Sequence, residues 1–216
     1  MLAGQTKVAL DLHEVCLFPF EYLYMSQDEG GDFSHDGTYN IDFIGWGANG
    51  RIYNCPFYAP VTLQCVDIFD ASANNRVYQS VNTVHLADGT LDYLTIAFAH
   101  DDNPLYNVGD VIPQGQILGH TGTTGYVTGD HTHTCCGKGQ YQGYTQRASG
   151  NWDLVNRIHY WDACYVNDTV IVQGYGHNWR IYSGPGPTPV PVPIPVGKSN
   201  FKFWLFGNYA KKKREW

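Results

Sequence analysis

Gly119-His120-Thr121-Gly122-Thr123-Thr124-Gly125-Tyr126-Val127-Thr128-Gly129-Asp130-His131-Thr132-His133 is the stretch whose reading decides the fold. Its glycines and threonines break helix and favour turns and strands. It ends on two histidines one residue apart. In an extended strand such a pair points to one side of the chain, because side chains alternate with period two; on a helix the same spacing would separate them. Neutral imidazole is the commonest side-chain ligand of zinc, and a catalytic zinc takes three protein ligands and keeps one position for water. A His-x-His pair supplies at most part of such a set, so partners must come from elsewhere in the chain.

Candidate partners lie upstream. Ser34-His35-Asp36-Gly37-Thr38-Tyr39-Asn40-Ile41-Asp42-Phe43 offers a histidine and carboxylates around a turn-like Asp-Gly step. Leu94-Thr95-Ile96-Ala97-Phe98-Ala99-His100 has a strand pattern that ends on a histidine. The order is therefore His and Asp, then a lone His at a strand end, then His-x-His.

In this order of motifs the chain resembles the LytM/lysostaphin-type zinc endopeptidases, which cut peptidoglycan peptides. The resemblance runs from about Leu17 to about Lys138 and takes in Gly109-Asp110-Val111 and Gln114-Gly115-Gln116-Ile117-Leu118-Gly119. It implies that His35, Asp42 and His133 are the ligands of one Zn2+ per chain. It implies too that His100 and His131 are catalytic non-ligand histidines, facing the bound water and the scissile carbonyl. Six residues, Asp36 to Ile41, separate His35 from Asp42, where the family usually has three. This spacing leaves Asp36 and Asp32 open as alternative carboxylates. Asp36 is the poorer one, since a residue adjacent to His35 would point away from it in an extended segment. The implied fold is mostly β, an antiparallel barrel-sandwich hybrid of the LytM type. The implied substrate is a stem or cross-bridge peptide of peptidoglycan, of a Gram-positive wall.

The chemistry can be argued independently. Zinc lowers the pKa of a bound water from about 15.7 toward about 7. Amide hydrolysis also needs a group that manages the proton and donors for the oxyanion. The chain has no His-Glu-x-x-His helix, so the glutamate base of that motif is missing. Histidine, with an ordinary pKa near 6.5, is the natural substitute, and His100 and His131 are available. One Asp and two neutral His would leave the loaded site at a net charge of about +1, which favours hydroxide.

The other histidines read as structural. His13, His85, His159 and His177 sit in no recognisable motif, and His120, inside the glycine-rich run, reads as structural or as an edge of the substrate site. The run also lacks the Gly-Lys-Ser/Thr ending of a phosphate-binding loop. At 216 residues, one domain with a full core and a small appendage is expected. The 24 glycines, 11 prolines and 16 tyrosines, with few 3.6-period stretches, point to strands over Ile52–Phe57, Val61–Phe69, Val77–Leu86, Tyr93–His100 and Thr132–Cys136. Phe18–Tyr24 is too short to span a bilayer and is interrupted by Glu21. Cys16, Cys55, Cys65, Cys135, Cys136 and Cys164 form no C-x-x-C pair, so buried thiols are expected, with pairings such as Cys55–Cys65 left open. A cysteine at 135 or 136, directly after the histidine pair, could approach the metal.

The catalytic domain is expected over residues 1–183, with the family-like core at about 17–138 and an extension at 139–183 whose Trp152, Trp161 and Trp179 either line a groove or are buried. Residues 184–197 are a proline-rich linker, extended and semi-rigid. Residues 198–216 are an aromatic and basic tail. Lys and Arg against Asp and Glu number 7 and 19 over residues 1–184, and 6 and 1 over residues 185–216, so an acidic body of net −12 carries a tail of net +5. Such a tail suits anionic wall polymers, lipid headgroups or a phage tail protein. No nucleic-acid partner is expected. Met1–Lys7 lacks signal-peptide architecture. The expected setting is therefore a bacteriophage product, on the virion tail or in the host cytoplasm and released to the wall. Two rival readings are a metal-free binding or activating module and a mainly structural component of a phage tail.

Overall fold

In the computed structural model, residues 1, 3–47, 49–165 and 179–182 are described. The chain is built from short strands. The first group is β1 (Tyr22–Gln27), β2 (Ile41–Gly47), β3 (Gly50–Ile52) and β4 (Pro56–Tyr58). A hairpin follows, β5 (Leu63–Asp70) and β6 (Asn75–Ser80), then β7 (Val84–His85), β8 (Leu91–Asp92) and β9 (Leu94–Ala99). Next come β10 (Val111–Ile112), β11 (Ile117–His120) and β12 (Thr132–Lys138). The remainder is β13 (Tyr144–Gln146), β14 (Trp152–Leu154), β15 (Arg157–Ile158), one helical turn α1 (Tyr160–Ala163) and β16 (Trp179–Tyr182).

The main sheet runs β10-β5-β6-β9-β12-β2-β1-β16, with β3 and β15 attached at β2 and β12, and its pairs are antiparallel. The fold is thus mostly β and antiparallel, as the sequence predicts. β9 lies at the centre of the sheet, and all six of its residues are buried, which is why it reads as an unbroken apolar run. The β5–β6 hairpin turns through Ala71–Ala73, where Asp70 accepts the backbone N–H of Ser72 and Asn74 adopts the left-handed conformation. β4 and β11 pair as a separate ribbon that packs its Phe57 and Leu118 into the same core.

Phe20 is central to that core. It stacks edge-on or tilted against Phe18, Phe43, Phe57 and Phe98, with ring centroids 4.9–6.3 Å apart. Phe43 comes from β2 and Phe98 from β9, so the aromatic cluster ties together strands that flank β12.

Two expected strands are broken. Ile52–Phe57 is interrupted because Asn54 takes φ 51°, ending β3 before β4 begins at Pro56. Val77–Leu86 stops at Ser80, beyond which Val81 and Asn82 turn out to solvent. The sequence reading also missed β2, the strand that carries Asp42. All six cysteines are buried free thiols, and Cys55 and Cys65 are not bonded to each other. No helix among the described residues is long and apolar enough to cross a membrane. The linker 184–197, the tail 198–216 and His177 lie outside the described residues.

Phe20→Ala is expected to lower the unfolding free energy by about 3–5 kcal/mol, measured by denaturant titration. Phe33, which is 76% exposed, serves as the control: its replacement by Ala should change stability by less than about 0.5 kcal/mol.

Candidate metal centre

The alternation expected for His131-Thr132-His133 is present. Thr132 and Thr134 are fully buried on the core side of β12, and Thr132 Oγ1 donates to the carbonyl of Ala99 at 3.1 Å. His131 and His133 project from the opposite side. In the antiparallel register His133 lies across from Asp42 on β2 and from Ala99 on β9. Asp42 itself falls between Ile41 and Phe43, both buried in the core, so it points with His133.

His35 arrives from a loop. Its backbone N–H donates to Gly31 and its carbonyl accepts from Thr38, closing tight turns that need Gly37 at φ 71°. Because these residues are turns, the extended-segment reading of Asp36 does not apply there. Asp36 is exposed all the same, and its carbonyl accepts from the side chains of Ser149 and Asn151. The loop is also held by Asp153, which accepts the N–H of Tyr39, by Trp152, whose carbonyl accepts from Asn40, and by Arg157, which donates to the Gly37 carbonyl. The segment after residue 138 thus buttresses the loop that carries His35. Of its tryptophans, Trp152 is exposed against Phe69 and Trp161 is half-buried against the core.

Three donor atoms converge. His35 Nε2 is 3.1 Å from His133 Nδ1 and 3.2 Å from Asp42 Oδ1, and His133 Nδ1 is 3.0 Å from Asp42 Oδ1. His35 is fully buried. Its Nδ1 lies 3.1 Å from the Asp28 carbonyl, which can only accept, so the ring proton sits on Nδ1 and Nε2 presents its lone pair. That lone pair faces a carboxylate oxygen. Burial works to raise the Asp42 carboxyl, but the hydrogen bond and charge from His133 hold it well below the usual carboxylate range. Donors about 2.0–2.2 Å from a tetrahedral ion stand roughly 3.3–3.6 Å apart. The observed separations fall slightly short of that range, and two imidazoles with one carboxylate could hold a metal ion, which would also satisfy the lone pair of His35.

His100 and His131 line the same cluster. Their ring centroids are 4.6 Å apart, and His131 Nε2 is 3.8 Å from Asp42 Oδ1. His100 Nδ1 donates to the Thr124 carbonyl and His131 Nδ1 to the Gly129 carbonyl, each at 2.8 Å, so both rings keep Nε2 clear of the backbone. Burial, then the neighbouring His131, lowers the pKa of His100 to about 4. His100 also holds φ 78°, a strained setting for a non-glycine residue. Its carbonyl packs against Gly122, where a Cβ would come within 2.2 Å of that oxygen.

The structure therefore brings together His35, Asp42, His100, His131 and His133. It leaves Asp36 outside, and the cluster does not include Asp32 or His120. Cys136 points into the core, and Cys135 packs with Val77, Ala97 and Leu154, so neither reaches the cluster. The sequence reading missed Asp11, which joins His13 and His85 in a second His/Asp group. No local spacing signals that group.

No protein-family model matches the sequence. The chain is 36% identical over 180 residues to Morphogenesis protein 1 of Bacillus phage B103, an alignment covering 83% of this chain and 47% of that protein. The chain thus spans about half the length of this curated relative. Among solved structures, the catalytic domain of the antimicrobial peptidase lysostaphin from Staphylococcus simulans aligns with 56% of this chain and 84% of its own, at 21% identity and TM-score 0.41. The catalytic domain of the prophage-encoded protein EnpA from Enterococcus faecalis aligns with 55% of this chain and 82% of its own, at 19% identity and TM-score 0.40.

Substituting Ala for His35, Asp42 or His133 should each remove one equivalent of Zn2+ from the purified chain, because three protein ligands leave no redundancy. Asp36→Ala should remove none. Elemental analysis after dialysis checks both.

Proposed function

We propose that the chain is a zinc-dependent endopeptidase that hydrolyses amide bonds in the stem or cross-bridge peptides of bacterial peptidoglycan. The observation that carries this reading is the convergence of His35 Nε2, Asp42 Oδ1 and His133 Nδ1 beside two further histidines whose Nδ1 atoms are already engaged. The first three would hold the ion. When bound, zinc supplies Lewis acidity and a water that ionises near neutral pH.

The remaining steps fall to the chain. Hydrolysis moves a proton from the attacking water to the leaving amine nitrogen. His100 is neutral at neutral pH, with its proton fixed on Nδ1 by the Thr124 carbonyl, so Nε2 is the accepting atom. His131 presents Nε2 on the Asp42 side of the cluster, where it serves the same transfer. The peptidoglycan assignment rests on the resemblance to LytM/lysostaphin-type endopeptidases that the ordered motifs carry, and the phage setting on the likeness to a phage morphogenesis protein. In this reading the protein works for lysis or for wall penetration on entry, from the virion tail or after release from the host cytoplasm.

The likeness to a phage morphogenesis protein also favours a second reading, in which the chain is chiefly a structural part of the virion and its hydrolysis is secondary. The two separate in a phage carrying His133→Ala: intact particles with normal wall opening support the structural role, and intact particles with impaired wall opening support the enzyme.

His100→Ala and His131→Ala should each keep the bound zinc of the wild-type chain and lose on the order of 10²-fold or more in turnover of a peptidoglycan peptide. Loss of one equivalent of zinc in either variant would make that residue a ligand and overturn its assignment.

In the proposed domain division, residues 1–183 form the catalytic unit, and the tail 198–216 docks it to an anionic wall polymer or a phage tail protein. Deleting 198–216 should leave hydrolysis of a small soluble peptide unchanged and weaken wall or virion association. Where charge drives that docking, added salt should weaken it too, since exposed charges are screened over about 8 Å at physiological ionic strength. Lost peptidase activity with normal docking would refute the division.

A further inference from the structure

Residues 8–14 form a turn closed by a Val8–Glu14 bridge, with Ala9 N–H donating to His13 and Leu12 N–H donating to Ala9. At its tip Leu12 adopts φ 70°, a left-handed conformation costly for a leucine. No packing rewards it: Leu10 and Leu12 are 95% and 84% exposed. What the turn does achieve is to bring Asp11 and His13 against His85 on β7.

His85 is clamped from both sides, its N–H donating to Glu14 and its carbonyl accepting from Cys16. Its Nε2 is 2.8 Å from Asp11 Oδ2 and 3.0 Å from Oδ1. His13 Nδ1 is 3.5 Å from the same Oδ2, and it is buried with no hydrogen-bond partner. The three donor atoms lie within 4.8 Å of one another.

An ordinary His–Asp hydrogen bond accounts for His85 and Asp11. It leaves unexplained a buried imidazole nitrogen facing the same carboxylate, whose Oδ1 also accepts the His13 backbone N–H at 3.3 Å across the tip. A buried polar atom without a partner is costly, and a cation between the three donors would satisfy all of them. We infer that Asp11, His13 and His85 form a second divalent-cation site, separate from the His35–Asp42–His133 cluster, that fastens the 8–14 turn to β7. Two imidazoles and one carboxylate suit zinc or a similar transition ion better than magnesium or calcium, which prefer oxygen. The half-exposed Asp11 leaves room for a water to complete the shell.

The test uses the full chain with Zn2+ as probe. The wild type should retain two equivalents after dialysis, and His133→Ala should retain one. Adding His13→Ala, Asp11→Asn or His85→Ala to His133→Ala should abolish the remaining equivalent. Added Zn2+ should raise the melting temperature of His133→Ala, and the second substitution should cancel that rise. His13 and Asp11 sit on an exposed turn, so their variants test the site even where His85→Ala perturbs folding. A His133→Ala chain that binds no zinc, or that keeps its equivalent after His13→Ala and Asp11→Asn, overturns the inference. Neither result bears on the first cluster, whose own substitutions leave the second site intact.

Discussion

The register of three antiparallel strands is the constraint on which the site depends. β12 lies between β2 and β9 so that His133 faces Asp42 on one side and Ala99 on the other. The period of a strand is two, so a slip of one residue would turn His133 into the core and Thr132 outward. What prevents the slip is burial on the other face. Ile41 and Phe43 flank Asp42, Thr132 and Thr134 flank His133, and all four are almost wholly shielded from water. The aromatic cluster around Phe20 takes Phe43 from β2 and Phe98 from β9, so the packing that stabilises the sheet also sets where the donors meet.

The longer stretch between His35 and Asp42 is absorbed by a loop with its own supports. Its turns require Gly37 at positive φ, and its outer carbonyls and N–H groups find partners in residues 149–157. Asp153 is fully buried and also pairs with Arg147 and Arg157, so the acceptor that takes Tyr39 N–H is itself fixed. The extension therefore acts on the site by holding the loop that carries His35; among its tryptophans, Trp152 and Trp161 lie against Phe69 and the core respectively.

Much of this was legible because it is local. Period-two alternation places His131 and His133 on one side whatever the fold, and the apolar run to Ala99 puts His100 at a strand end. Asp42 was named from the order of motifs, while its strand, Ile41–Gly47, was missed because two glycines interrupt its pattern. The breaks at Asn54 and after Ser80 depend on backbone conformation that composition does not dictate. The Asp11–His13–His85 group was invisible for a different reason. It is assembled by a bridge between Val15 and His85, residues distant in the chain, and neither segment carries a spacing that signals a ligand.

Backbone carbonyls decide which nitrogen each histidine offers. Asp28 takes the Nδ1 proton of His35, Thr124 that of His100 and Gly129 that of His131. In each ring Nε2 is left for the cluster, and a carbonyl at the far nitrogen both orients an imidazole and raises its basicity. Two of these three carbonyls belong to the glycine- and threonine-rich run before the histidine pair. That run reaches its position through Gly122, which passes too close to the His100 carbonyl to admit any side chain, and through Gly125 at φ 95°. Its glycines thus serve to aim carbonyls at histidines, a need quite different from cradling a phosphate with N–H groups. The same segment couples the strained backbone of His100 to its ring, since Thr124 receives the ring proton and donates its own N–H to the His100 carbonyl.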